Sequence, residues 1–251
     1  MQQYFVEGSL SVDRLYTVTD KRIIHHIAKV MRMQPDDQIE LVDATQQPFL
    51  AVIQKIDISG TEIQVRPING LNRQTELPAK PILLCGLPKR EKSEWIVQKG
   101  TELGADKIYF FASERAVSRW DEKKAIKKLQ RLQTIALSAA EQSHRNTIPE
   151  IKFLQNLKDL KFEVQATKLI AYEESAKSSE TKALVLALQA HQPKTPTYCV
   201  FGPEGGISSN EVAYLVSQGF TPIGLGPRIL RTETAPLYFL SALSFYFELK
   251  G

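Results

Sequence analysis

From residue 81 onward the chain alternates between short, continuously apolar runs and longer amphipathic ones. "PILLCGLP", "KIYFFAS", "KLIAY", "TYCVFG" and "TPIGLG" are dominated by apolar residues, as strands covered on both faces should be. Between them stand "SEWIVQKGTELG", "EKKAIKKLQRLQTIALSAAEQS", "TKALVLALQ", "SSNEVAYLVSQG" and "APLYFLSALSFYFELK", which read as helices. The alternation admits few folds, because every strand needs a partner and every helix must lay its apolar stripe on the sheet. It predicts an α/β domain with a parallel sheet covered by helices.

The first 70 residues follow another rule. "QQYFV", "RLYTV", "QIELVDA", "FLAVIQKI" and "TEIQVRPI" are β-branched and aromatic, with turn residues between them. "TDKRIIHHIAKVMRM" interrupts them: Thr19 or Asp20 can cap a helix, and Ile23, Ile24, Ile27, Val30 and Met31 fall on one face. A small β-barrel with one helix is the expected unit. The polar, proline-punctuated "NGLNRQTELPAKP" reads as a linker, which divides the chain into domains 1–75 and 76–251.

Several classes are disfavoured. No apolar stretch approaches the roughly 20 residues of a membrane span, and the start "MQQYFVEGSL" lacks a basic region followed by an apolar run, so a cytoplasmic location is expected. Cys85 and Cys199 lie in apolar runs without neighbours at metal-ligand spacing, and no metal is expected. The net charge is +4, but residues 80–134 hold 13 basic against 7 acidic side chains. That excess would attract a polyanion such as RNA, although lysine-rich helices also serve simply as solvated faces.

Ligands of open parallel sheets bind where strand carboxyl ends meet helix starts. Three loops qualify: "AYEES", "FGPEGGISSNE" and "GLGPRILRTETA". The second ends in a capping box, Ser208 with Glu211. It lacks both the Gly-Lys-Ser/Thr of a P-loop and the G-x-G-x-x-G of a dinucleotide site, which weakens a nucleotide-dependent oxidoreductase reading. The third places Arg228 and Arg231 around Ile229 and Leu230, with Thr232 and Thr234 able to cap the last helix.

"FGPEGGISSNE" paired with "LGPRILRTETA" closely resembles the ribosomal RNA small subunit methyltransferase E family, enzymes of the SPOUT superfamily. "HHIAKVMRM", "LPKREKSEWIVQKGTELG" and "AAEQSHRNTIPEI" extend the resemblance over nearly the whole chain. One departure is at the start, where Gln2 and Gln3 precede Tyr4 and related chains carry an arginine near an aromatic.

The resemblance implies a PUA-like RNA-binding barrel followed by a SPOUT domain with a C-terminal trefoil knot. It implies a homodimer that uses S-adenosylmethionine to methylate N3 of a uridine in 16S rRNA, within the assembled small subunit. A non-catalytic RNA-binding assembly factor is the alternative. The cofactor would lie against Tyr172, Phe201, Gly202, Pro203, Gly205, Gly206, Leu225, Gly226, Ile229, Leu230 and Thr232. The RNA would meet Arg32, Lys89, Arg90, Lys92 and Arg145.

Losing the N3 proton leaves uracil anionic, and a guanidinium beside O2 or O4 would stabilise it. Arg231, with Arg228, suits that catalytic role; an ion pair with Glu204 or Glu233 is the structural alternative for Arg231. Glu204 is a candidate general base, or else complements the sulfonium or braces its loop. The apolar residues of the last helix, Leu237, Tyr238, Leu240, Leu243 and Phe245, suit either a subunit interface or the core.

Overall fold

In the computed structural model, which describes residues 1–57, 60–172, 182–192 and 194–250, the N-terminal β-branched runs form a single sheet. Its strands are β1 (Gln3–Phe5), β2 (Tyr16–Val18), β3 (Gln38–Val42), β4 (Pro48–Ile56) and β5 (Ile63–Gly70), in the order β1-β3-β4-β5-β2. β1 is parallel to β3, and the other pairs are antiparallel. Ile39, Leu41, Ala51, Ile53, Ile63 and Val65 are fully buried, because period-two alternation sends them to one face.

Asp20 caps α1 (Lys21–His25), its carboxylate accepting from the N–H groups of Arg22 and Ile23. The next turn, His26–Val30, is a π-helix, and Met31 N–H reaches back to His26 O. Ile23, Ile24 and Ile27 are buried as the helical period predicts, whereas Val30 and Met31 are 55% and 41% exposed. The wider π turn rotates the last two off the face that a 3.6-residue period assigns them.

This first unit comprises Met1–Thr75 together with Glu141–Thr147. A polar network orders that second segment. Arg22 donates two parallel bonds, 2.8 and 2.9 Å, to the Glu141 carboxylate. Buried Gln3 accepts from Arg73 Nη2 at 2.6 Å and donates to Arg145 O at 2.7 Å. Glu40 accepts from Arg73 Nη1 at 2.7 Å and lies 2.9 Å from His144 Nδ1. An amide can give and take a hydrogen bond at once and a guanidinium cannot accept, which is why glutamine suits position 3 here.

The second unit, Glu76–Ala140 with Ile148–Gly251, holds the strand and helix alternation. Its strands are β6 (Pro81–Gly86), β7 (Lys107–Phe111), β8 (Glu150–Leu154), β9 (Thr167–Ala171), β10 (Thr197–Phe201) and β11 (Thr221–Ile223). They pair in the order β11-β9-β10-β6-β7-β8, every pair parallel. The described helices are α2 (Lys92–Glu102), α3 (Glu122–Gln142), α4 (Ala183–Gln189), α5 (Ser209–Ser217) and α6 (Thr234–Ser244), the last continuing as a π turn over Phe245–Leu249.

Adjacent residues of β6 serve different cores. Leu83 and Cys85 pack with Ile96, Val97, Leu132, Phe239 and Leu240 of α2, α3 and α6; Ile82 and Leu84 pack with Leu215 and Phe220 beside α5. Both faces are therefore covered, and the apolar runs of β6 and β10 are buried throughout. Both cysteines are buried and free.

β8 was not legible in the sequence. It lies at the sheet edge and carries Glu150 and Lys152 within EIKFL, so it lacks the unbroken apolar signature of an interior strand. In α6, Leu240 and Leu243 belong wholly to the core, whereas Tyr238 and, in the π turn that follows, Phe245 are exposed.

Candidate active site at the carboxyl edge of the sheet

Because every strand of the second sheet is parallel, the loops after β6, β7, β9, β10 and β11 all leave from one edge. Residues 202–208, between β10 and α5, are wedged among their neighbours. A Cβ on Gly86 would stand 2.5 Å from Pro203 Cδ, and one on Gly205 would stand 2.9 Å from Arg115 O. These glycines are thus required by close protein packing, before any ligand is considered.

Glu211 anchors the loop from behind. It completes the capping box, its Oε2 accepting from Ser208 N–H at 2.8 Å while Ser208 Oγ accepts from Glu211 N–H at 3.1 Å. The same carboxylate accepts from Ser113 Oγ and Glu114 N–H at 3.2 and 3.1 Å. One residue caps α5 and ties the turn after β7 to it, a second role that spacing alone did not reveal.

Glu204 faces the opposite way. Its Oε1 accepts from Lys89 N–H at 3.1 Å and pairs with Lys92 Nζ at 2.9 Å. The same ammonium lies 3.0 Å from Glu233 Oε2, at the start of α6. Lys92, expected at an RNA surface, is instead engaged with two carboxylates and joins the second and third loops. Burial alone would raise the Glu204 carboxyl, but the Lys92 ammonium and the N–H groups of Glu204 and Lys89 outweigh it and hold it below the usual carboxylate value. A carboxylate so stabilised is a weaker proton acceptor.

The third loop, residues 224–233, turns through Gly226 at φ 85°. A Cβ built there would meet only Tyr238 Oη at 3.7 Å, so the backbone borders open space. Leu225 is nearly buried, Leu230 is half-buried, and Ile229 is 73% exposed. Arg228 and Arg231 are both exposed, and Thr232 is nearly buried. The threonines do not cap α6: Glu233 is the capping residue and makes no side-chain cap bond. The N–H groups of Thr234 and Ala235 turn back to Arg231 O at 2.9 and 3.0 Å, which satisfies two of the orphan donors through the backbone.

Of the first loop, Tyr172 is half-buried and its N–H donates to Ile223 O at 3.0 Å; Glu173, Glu174 and Ser175 lie outside the described residues. Phe201 ends β10, and its ring is buried 5.8 Å from that of Phe239. Arg145, expected among the RNA contacts, is 2% exposed and donates to Thr147 Oγ1. Arg32, Lys89 and Arg90 are exposed.

An RNA methyltransferase domain matches residues 75–244, and an RNA methyltransferase PUA domain matches residues 18–66. The ribosomal RNA small subunit methyltransferase E of Bacillus subtilis is 41% identical over 99% of this chain and 98% of its own. The chain belongs to the ribosomal RNA small subunit methyltransferase E family. The Mycobacterium tuberculosis member is 32% identical over 87% of this chain and 82% of its own. The Neisseria gonorrhoeae member, crystallised with S-adenosyl methionine, superposes with a TM-score of 0.85 at 28% identity, covering 98% of both chains. As a member of this family, the protein is an RNA methyltransferase with a mixed α/β fold and a PUA-like domain. Among the described residues no helix is long and apolar enough to cross a membrane.

Proposed function

We propose that the protein transfers a methyl group from S-adenosylmethionine to N3 of a uridine in 16S rRNA, acting in the cytoplasm as a homodimer on the assembled small subunit. The observation that carries this reading is the end-to-end similarity to the Bacillus subtilis small subunit methyltransferase, which spans both loops at the sheet edge.

The residues present fit the methyl donor. Gly226 leaves room for a ligand against the backbone, and Leu225, Ile229 and Leu230 offer an apolar wall beside it. In this reading Thr232, Tyr172, Gly202, Pro203, Gly205, Gly206 and the Phe201 backbone complete the cofactor site. S-adenosylmethionine supplies an electrophilic methyl on a sulfonium. The chain's own contribution is to bind uracil with O2 or O4 beside Arg231, with Arg228 alongside, so that the anion left when N3 releases its proton to solvent is stabilised. Glu204 braces the loop, because Lys92 depresses its affinity for that proton.

The order β11-β9-β10 supports the trefoil knot. The chain passes from β9 to β10 and then back across β9 to β11. Exposed Tyr238, Phe245 and Leu249 supply apolar surface for a dimer, and exposed Arg32, Lys89 and Arg90 supply contacts to RNA. Mass mapping of 16S rRNA from a strain lacking the gene tests the reading. One uridine should lose a methyl group and regain it on complementation; an unchanged methylation pattern refutes the assignment and favours a non-catalytic assembly factor.

A further inference from the structure

Beside the candidate active site, the second unit contains a cleft of about 480 Å³. One wall is the turn after β6, residues 88–91. The other is formed by Ser118, Trp120 and the first turns of α3. Ser118 Oγ donates to Pro88 O at 2.9 Å and fastens the two walls together. The indole of Trp120 makes the floor. It is 8% exposed and its ring lies 5.9 Å from Phe110 and 5.3 Å from Phe153, so it is held firmly from behind.

The cleft is cationic. Arg90 projects from one wall; Lys124 and Lys128, four apart on α3, share a face on the other. Glu91 is the one carboxylate in its lining. Two neighbouring acids have partners of their own. Asp121 accepts from Lys124 N–H at the start of α3, and Glu94 pairs closely with Arg131 at 2.6 Å and more loosely with Lys128 at 3.8 Å. Three cations around a small apolar floor suit a phosphodiester.

One wall of the cleft adjoins the candidate active site along the chain. Residues 88–91 lead directly into Lys92, and Lys89 N–H itself bonds Glu204. An extended anionic ligand could reach from the cleft to the loop that holds Glu204. We propose that this cleft seats the phosphodiester backbone of the substrate RNA next to the target nucleotide, with Arg90, Lys124 and Lys128 as its phosphate contacts. The inference rests on the proposed function for its substrate.

The test is binding of a 16S rRNA transcript and of small ribosomal subunits to wild type and to Lys124→Gln/Lys128→Gln, measured across a salt series. Loss of two phosphate contacts should weaken RNA binding about tenfold and flatten the dependence of log K on log salt by about 1 to 2. S-adenosylmethionine affinity and the thermal midpoint should stay within error of wild type. Lys161→Gln, which removes an exposed charge elsewhere on the same unit, should leave binding and salt slope unchanged. RNA affinity within twofold of wild type with an unaltered slope overturns the proposal. So does a loss confined to whole subunits, which would give the cleft to a ribosomal protein. If wild type binds RNA but methylates none, the proposed function fails, and the salt slopes still decide the cleft.

Discussion

Lys92 Nζ lies 2.9 Å from Glu204 Oε1, and because the same ammonium is 3.0 Å from Glu233 Oε2, one side chain joins the loop after β10 to the start of α6. Loops that hold a ligand are ordinarily mobile, and a shared cation restrains both at once. Its three proton donors suit a bridge between two acceptors.

Lys92→Met should therefore loosen the site while leaving the core intact. It leaves two part-buried carboxylates without their cation. S-adenosylmethionine affinity is expected to fall about tenfold, with Lys92→Arg restoring part of it. Titration calorimetry on the two variants measures this; unchanged affinity in Lys92→Met would show that the bridge does not shape the site.

The same triad sets a pH dependence. Burial alone would raise both carboxyls. For Glu204 the bonds from Lys92 and backbone N–H groups prevail, and for Glu233 its own N–H, Lys92 and Arg231 prevail, so both lie below the ordinary value. Depressed carboxyls stabilise the fold above their unfolded pKa of about 4.3, and that stability is lost as pH falls through the lower folded values. Lys92 is raised by its bonds to Glu204 and Glu233, and its contribution is complete below about pH 10.4 and lost above its raised value. Urea midpoints followed from neutral pH down through the carboxylate range should decline more steeply for wild type than for Lys92→Met. Parallel curves would contradict the pairing.

Arg231→Ala addresses the chemistry. A contact that strengthens only as uracil becomes anionic should lower turnover about 100-fold and change S-adenosylmethionine affinity by less than about tenfold. Single-turnover methylation and calorimetry on one preparation separate the two effects. Equal losses would place Arg231 on the cofactor.

Gly86→Ala tests the packing of the loop. Its new methyl would meet Pro203 Cδ at 2.5 Å, and relief requires the backbone of β6 or of the loop to shift. A destabilisation of about 1 to 3 kcal/mol is expected, read as a lowered denaturant midpoint. A midpoint equal to wild type would mean that the loop yields freely.

Hydrophobic pattern alone was enough for the layered α/β unit, because an interior strand such as β6 or β10 must be apolar on both faces wherever its partners lie. The capping box of Ser208 and Glu211 was legible for a similar reason, since a helix start makes its demands within four residues. Strand β8 escaped notice because an edge position relaxes that requirement and admits Glu150 and Lys152. Similarly, the π turn at His26–Val30 changed the rotation per residue and left Val30 and Met31 outside the core.

Other roles were decided by tertiary structure. Lys92 reads as one more lysine in a basic stretch until Glu204 and Glu233, more than a hundred residues away, converge on it. Gln3 reads as a lost arginine until Arg73 and the Arg145 carbonyl meet its amide. Apolar burial is a property each segment expresses in its own periodicity, whereas a hydrogen bond or ion pair depends on where both partners finish in space. The elements of this protein were thus written locally, and the joining of its loops arose only when the parallel sheet brought their ends to one edge.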